Sequence, residues 1–151
     1  EKVPGIALRT TFLIVHPGET DRDFDQLLDF VSQQQFERVG VFQYSHEENT
    51  RAHELPDDVP AVVKAERAQA LMEVQQEISY EKNQEKVNKI FKVLVDKKEA
   101  GRYLGRTEFD SVEVDNEVII ASDKKLAIGE FVNVKITKAY DYDLEGIVVE
   151  A

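Results

Sequence analysis

Cysteine is absent from this chain of 151 residues, which excludes a disulfide scaffold, a thiolate-held iron–sulfur cluster and a zinc ribbon within it. No apolar run approaches the ~20 residues that span a bilayer. The opening EKVPGIALRTTF lacks the layout of a signal peptide and starts just before a strand, as a piece of a longer protein would. On these absences a cytoplasmic protein with no membrane partner is expected. Walker, G-x-S-x-G and G-x-G-x-x-G motifs are missing too, so the common nucleotide and hydrolase signatures do not apply. His16, His46 and His53 are not spaced at i, i+4, and two of them lie in a polar loop, so no metal site is expected.

Basic residues are scarce: 19 Lys and Arg stand against 30 Asp and Glu, a net charge of −11. Residues 1–84 carry −8 of that and residues 85–151 carry −3. Nucleic-acid binders present a basic face to phosphates, and neither half does so by composition. An acidic surface suits a basic protein partner, and it also keeps a protein soluble.

The hydrophobic fraction is 42%, enough for a packed core. Ile6 to Val15 reads as a strand whose run Leu13-Ile14-Val15 suits a sheet covered on both faces. Pro17-Gly18 ends it. Thr20 is a fitting N-cap, with Asp23 completing an Asp version of the capping box. Phe24, Leu27, Leu28 and Val31 then form one helical stripe, and RVGVFQY (38–44) reads as a second buried strand. Strand, helix and strand make a βαβ unit, too small to stand alone and suited to the end of a larger α/β barrel. A polar loop (45–59) follows, and Pro60 opens a long helix predicted over 61–84, with Val63, Ala70, Leu71, Val74 and Ile78 as its apolar stripe.

From Val87 the period changes to two. Strands are predicted around Phe91–Val95, Arg102–Thr107, Val118–Ala121, Phe131–Ile136 and Leu144–Val149, with Val112 and Val114 leading to a turn at Asp115-Asn116. Short strands separated by Gly, Asn and Asp argue for a small antiparallel barrel. The expected organisation is therefore an α/β segment (1–60), a linker helix (61–84) and an all-β OB-like barrel (85–151). Phe91 and Phe131 are expected in the core. Tyr103, Phe109, Tyr140 and Tyr142 are expected on a contact surface. Such a barrel can stack bases beside Arg102 and Arg106, but the neighbours Asp110, Glu113, Asp141 and Asp143 favour a cationic peptide over phosphate.

Several segments in order resemble one family. LRTTFLIVHPGET (8–20) is similar to a late barrel strand and turn of the radical S-adenosylmethionine methylthiotransferases, which usually carry Gly where Val15 stands. RVGVFQYSHEENTRA (38–52) resembles their next strand and loop, RAQALMEVQQEIS (67–79) their linker helix, and residues 85–151 their terminal TRAM barrel. The departure at Val15 means either a side chain in a usually bare place or a local shift of register. Members acting on transfer RNA typically show Arg-Pro soon after the Tyr-Ser pair. Glu47-Glu48 stand there in this chain, and these acids, like ITKAYDYDLEGIVVE (136–150), resemble the branch that modifies an aspartate of the twelfth small-subunit ribosomal protein.

The resemblance implies a parent enzyme that uses S-adenosylmethionine and two 4Fe-4S clusters to add a methylthio group to the β-carbon of that aspartate. It implies no catalytic residue in this chain and no cofactor bound to it alone. Val15, His16, Pro17, Gly18, Gln43, Tyr44 and Ser45 would form one wall of the cofactor pocket. Glu47, Glu48, Tyr103, Phe109, Tyr140 and Tyr142 would meet a basic ribosomal protein. A transfer-RNA substrate, or a non-catalytic RNA-binding module, is the alternative.

Overall fold

The computed structural model describes residues 5–111 and 115–150. Val112, Glu113 and Val114, assigned above to a strand lead-in and an acidic neighbour, lie outside the described residues. The chain divides into two compact units, Glu1–Ile78 and Ser79–Ala151, and the division falls inside the long helix rather than at its ends.

In the first unit, strand β1 (Arg9–Ile14) and strand β2 (Arg38–Gln43) pair in parallel, from Arg9 opposite Arg38 to Ile14 opposite Gln43. Helix α1 (Asp21–Gln34) joins them. Its capping box is formed: the Asp23 N–H donates to Thr20 Oγ1 at 3.3 Å, and the Thr20 N–H donates to Asp23 Oδ2 at 3.0 Å. The hydrogen bonds from Thr20 hold the Asp23 carboxyl below its ordinary pKa. β1 begins at Arg9 rather than the expected Ile6, and it ends before the expected Val15 because that residue leaves the extended region, with φ of 61°. Helix α2 (Ala61–Gln84) matches its predicted bounds. Residues 61–78 of it belong to this unit, where Leu71 and Ile78 join Ile14, Val15, Phe24 and Val31 in one core. Each such buried aliphatic side chain stabilises the fold by roughly 1.5–3 kcal/mol relative to exposure.

Among the described residues, only one face of the β1–β2 pair is covered. Phe12, Ile14 and Val41 pack on the helices, whereas Leu13 and Phe42, directly opposed, are 58% and 65% exposed. A parallel sheet is ordinarily buried on both faces, so this bare face is a feature any functional reading must explain.

The second unit is a closed five-strand barrel in the order β3 (Ile90–Glu99), β4 (Arg102–Arg106), β5 (Val118–Ala121), β7 (Leu144–Val148) and β6 (Phe131–Ala139), with β6 returning to β3. It is not wholly antiparallel: β5 and β7 run parallel, with β6 serving as the crossover between them. Val93, Val95, Val118, Ile120, Val134, Ile136 and Leu144 fill the interior. Bulges between Val95 and Lys97 and between Ile136 and Lys138 bend two strands. At the second bend Gly146 is required, since a Cβ there would lie 2.6 Å from the Lys135 carbonyl oxygen.

The aromatic assignments need correcting. Phe131 is 61% exposed with Lys92 Nζ 4.6 Å above its ring, whereas Phe91 is half-buried and packs against the barrel core as expected. Tyr103 is the aromatic that enters the core, at 5% exposed. The period-two pattern is real, but phase decides the face: Phe131 opposes Leu94 on the outer row, while Tyr103 shares the inner row with Val93 and Val95.

Candidate functional site

The β1–α1 turn is the most constrained part of the first unit. Val15 is fully buried yet lies in the left-handed region, uncommon for any residue with a Cβ and strained for a β-branched one. A left-handed backbone is the conformation glycine adopts most readily, and in this chain valine occupies it. The Val15 N–H donates to Glu19 Oε2 at 2.7 Å. Glu19 Oε1 accepts from Arg67 Nη1 at 2.8 Å, and Arg67 Nη2 donates to Asp21 at 2.6 Å. Burial works against the Arg67 charge, but the bonds to Asp21 and Glu19 outweigh it and hold its pKa above the ordinary value. The Gly18 N–H donates to Asp58 at 3.2 Å.

Beside the turn, at the C-terminal end of β2, Tyr44 is clamped by aromatic and charged neighbours. Its N–H donates to the Ile14 carbonyl at 2.9 Å. Its hydroxyl shares a 3.1 Å hydrogen bond with His46 Nδ1, and the His46 ring stacks 4.2 Å from that of His53. Lys64 Nζ sits 5.4 Å over the Tyr44 ring and is gripped by Asp57 at 2.6 and 2.8 Å.

The structure therefore sorts the residues expected to meet a cofactor. His16, Gly18, Gln43 and Ser45 are exposed along one edge, where the parallel strands end. The side chains of Val15, Pro17 and Tyr44 are buried, so these three differ from the exposed four in what they present. A Cβ on Gly18 would meet nothing within 4 Å, so that backbone faces open space. Glu47 and Glu48 are both exposed, Glu47 accepting from Ser45 Oγ at 2.6 Å. Among the described residues no group of three or more His, Cys, Asp or Glu could hold a metal ion.

In the barrel unit the expected contact residues separate. Tyr103 is corrected as a surface residue: its hydroxyl accepts from the Leu126 N–H at 3.1 Å inside the barrel. Phe109 is half-buried in a turn after β4. Tyr140 and Tyr142 are 38% and 40% exposed on the β6–β7 turn. With Tyr80, Ile119, Lys138, Asp141 and Asp143 they line a shallow cavity of about 700 Å³. Asn83, 1% exposed, braces the turn from below: its amide nitrogen lies 3.1, 3.4 and 3.1 Å from the carbonyl oxygens of Tyr140, Asp141 and Tyr142.

Sequence reasoning missed Lys64, Arg67, Gln75, Tyr80 and Asn83. A signal was there for the helix. Lys64, Arg67, Leu71, Gln75 and Ile78 recur at three- and four-residue spacing and are all buried, so polar residues share the apolar stripe. Lys64 and Arg67 are paired with carboxylates, and Gln75 donates to the Phe36 carbonyl at 3.1 Å while its Oε1 is buried without a hydrogen-bond partner.

A barrel of this topology with a bracing helix defines the class, and residues 87–149 match the TRAM domain model. Nearly the whole chain is also similar to curated relatives named ribosomal protein uS12 methylthiotransferase RimO. The relative from Cytophaga hutchinsonii is 51% identical over 99% of this chain and 35% of its own length. That from Flavobacterium johnsoniae is 53% identical over 95% of this chain and 33% of its own, and that from a Thermoanaerobacter species 47% over 95% and 33%. The chain belongs to the RimO family and corresponds to the C-terminal end of its members. It spans about a third of the length of the relatives it matches.

Proposed function

We propose that this chain supplies the last strands of the catalytic barrel and the substrate-binding TRAM domain of an enzyme that adds a methylthio group to the β-carbon of an aspartate in ribosomal protein uS12. The observation that carries the barrel assignment is the bare apolar face at Leu13 and Phe42 on a parallel strand pair. On this reading the face packs against the remaining barrel strands, and His16, Gly18, Gln43 and Ser45 form a wall of the active face, where strand ends gather in such barrels. S-adenosylmethionine and two 4Fe-4S clusters would supply the hydrogen abstraction from an unactivated carbon and the sulfur transfer. The chain's own part is orientation: the Glu19–Arg67 pair fixes the turn that carries Gly18, whose open side permits close approach of a ligand. Cluster ligands come from outside this cysteine-free chain.

The net charge of −3 on residues 85–151, within −11 for the whole chain, supports a basic protein as the TRAM partner, in the cytoplasm, over RNA. Titration of the chain with purified uS12 and with an anticodon stem-loop, each at two salt concentrations, tests this. Binding of uS12 that weakens with salt is expected. Tight, strongly salt-dependent binding of the stem-loop would overturn the protein-substrate reading in favour of a transfer-RNA enzyme.

A further inference from the structure

We propose that the cavity beside the β6–β7 turn is a receptor for a single arginine side chain of a basic polypeptide. The inference rests on the protein-substrate reading above and adds the chemistry of the contact. Tyr80, Tyr140 and Tyr142 give the cavity aromatic walls, and Asp141 and Asp143 place carboxylates at the same turn. Aromatic faces attract cations through the ring quadrupole, and carboxylates add charge. A guanidinium satisfies both, being planar for stacking and forked for a carboxylate, whereas phosphate meets repulsion.

The turn already takes one cation of its own. Lys138 Nζ lies 4.5 Å from the centre of the Tyr140 ring, and the Tyr140 hydroxyl donates to Glu145 at 3.0 Å. One ring is thereby committed, and Tyr80 and Tyr142 are left to face an incoming side chain. Burial, reinforced by the nearby Asp141 charge, raises the Tyr142 phenol above its ordinary pKa, the direction expected beside an acidic turn.

The site is also preorganised. Three successive carbonyls converge on the Asn83 amide, and the Asn83 oxygen accepts from Lys86 Nζ at 3.0 Å. Only the nitrogen end of the amide can face carbonyls, so its orientation is fixed. The Tyr140 N–H donates to the Asp143 carbonyl at 2.9 Å, and Asp143 Oδ1 accepts from the Glu117 N–H at 2.9 Å. A ligand entering here finds the turn already ordered, which lowers the entropic cost of binding.

The test is a titration of the chain, followed by amide NMR, with a short peptide carrying one arginine and with the same peptide carrying neutral citrulline. The arginine peptide is expected to shift the Tyr140–Asp143 amides and to bind about tenfold more tightly than the citrulline peptide, the scale of one charged contact. Tyr142→Leu and Asp141→Asn should each weaken it several-fold while leaving the rest of the spectrum in place. Equal binding of both peptides, no effect of either substitution, or displacement of the arginine peptide by single-stranded RNA would overturn the proposal. The two readings separate with uS12: binding that survives both substitutions unchanged sinks the arginine receptor alone, and loss of uS12 binding with arginine-peptide binding intact sinks the substrate reading alone.

Discussion

Val15 and Glu19 are joined by a 2.7 Å hydrogen bond from the backbone N–H of one to the carboxylate of the other, across a turn in which Val15 is both fully buried and left-handed. Conformation and packing therefore pull in opposite directions at this residue. A side chain in the left-handed region costs roughly 1–2 kcal/mol, while the buried isopropyl group stabilises by about the same or more. The comparison of Val15→Ala with Val15→Gly isolates the strain. In an ordinary strand glycine is worse than alanine by roughly 0.5–1 kcal/mol. Here the order reverses, with Val15→Gly equal to or more stable than Val15→Ala in denaturant midpoint. Glycine ranking below alanine by the usual margin would show that the backbone at Val15 carries no strain.

Arg67 makes the same turn dependent on helix α2. Its guanidinium is nearly covered and serves Glu19 and Asp21, of which Glu19 is largely buried and Asp21 exposed. Removing the cation strands the Glu19 carboxylate, so Arg67→Met should destabilise the fold by about 3 kcal/mol. The double substitution with Glu19→Gln should recover part of that loss, because the uncompensated charge goes with it. Hydrogen exchange at the Val15 amide is the local readout. Protection should fall in Arg67→Met and stay unchanged in Lys124→Met, whose 2.6 Å pair with Glu150 is exposed. Equal protection at Val15 in both variants would refute the linkage.

The elements were legible in the sequence because each is signalled locally. Thr20 and Asp23 announce the start of α1, Pro60 the start of α2, and alternation the barrel strands. What failed depends on partners distant in sequence. Whether Phe131 or Tyr103 points inward is set by pairing, of Phe131 with Leu94 and of Tyr103 with Lys98 and Ile120, not by either residue's type. The parallel β5–β7 pair follows from ring closure, which no local pattern records. The same holds for the sites. His16, Gly18, Gln43 and Ser45 could be grouped as candidates because strand ends are marked by turn residues, whereas Arg67 and Asn83 act on residues 48 and 57 positions away.

Asn83 offers a sharp test of how the β6–β7 turn is held. Replacing it with aspartate keeps size and shape but turns a donor toward three carbonyls into an acceptor. Buried carbonyls that lose a donor cost about 1–3 kcal/mol, more when a charge faces them. Asn83→Asp should therefore destabilise the barrel by at least about 2 kcal/mol and increase exchange at the Tyr140 amide. Asn83→Asp folding with unchanged stability would mean the three contacts contribute nothing.

The two tyrosines that sequence alone grouped together should titrate on opposite sides of the ordinary value. The Tyr103 phenol is lowered from 10.0, chiefly because its oxygen accepts the Leu126 N–H, with Lys98 assisting against the effect of burial. The Tyr142 phenol is raised from 10.0 by burial and by Asp141. The consequences for stability have opposite sign. Between its lowered folded value and 10.0, Tyr103 holds fewer protons folded than unfolded, so its contribution grows as pH rises and is lost as pH falls through that folded value. Between 10.0 and its raised folded value, Tyr142 holds more protons folded than unfolded, so its contribution is complete below 10.0 and is lost as pH climbs. Spectrophotometric titration of phenolate formation should show Tyr103→Phe deleting an early-ionising group and Tyr142→Phe a late one. A Tyr142 that ionises at or before Tyr103 would contradict the burial and the acidic surroundings assigned to the β6–β7 turn, and with them the electrostatic basis for a cation there.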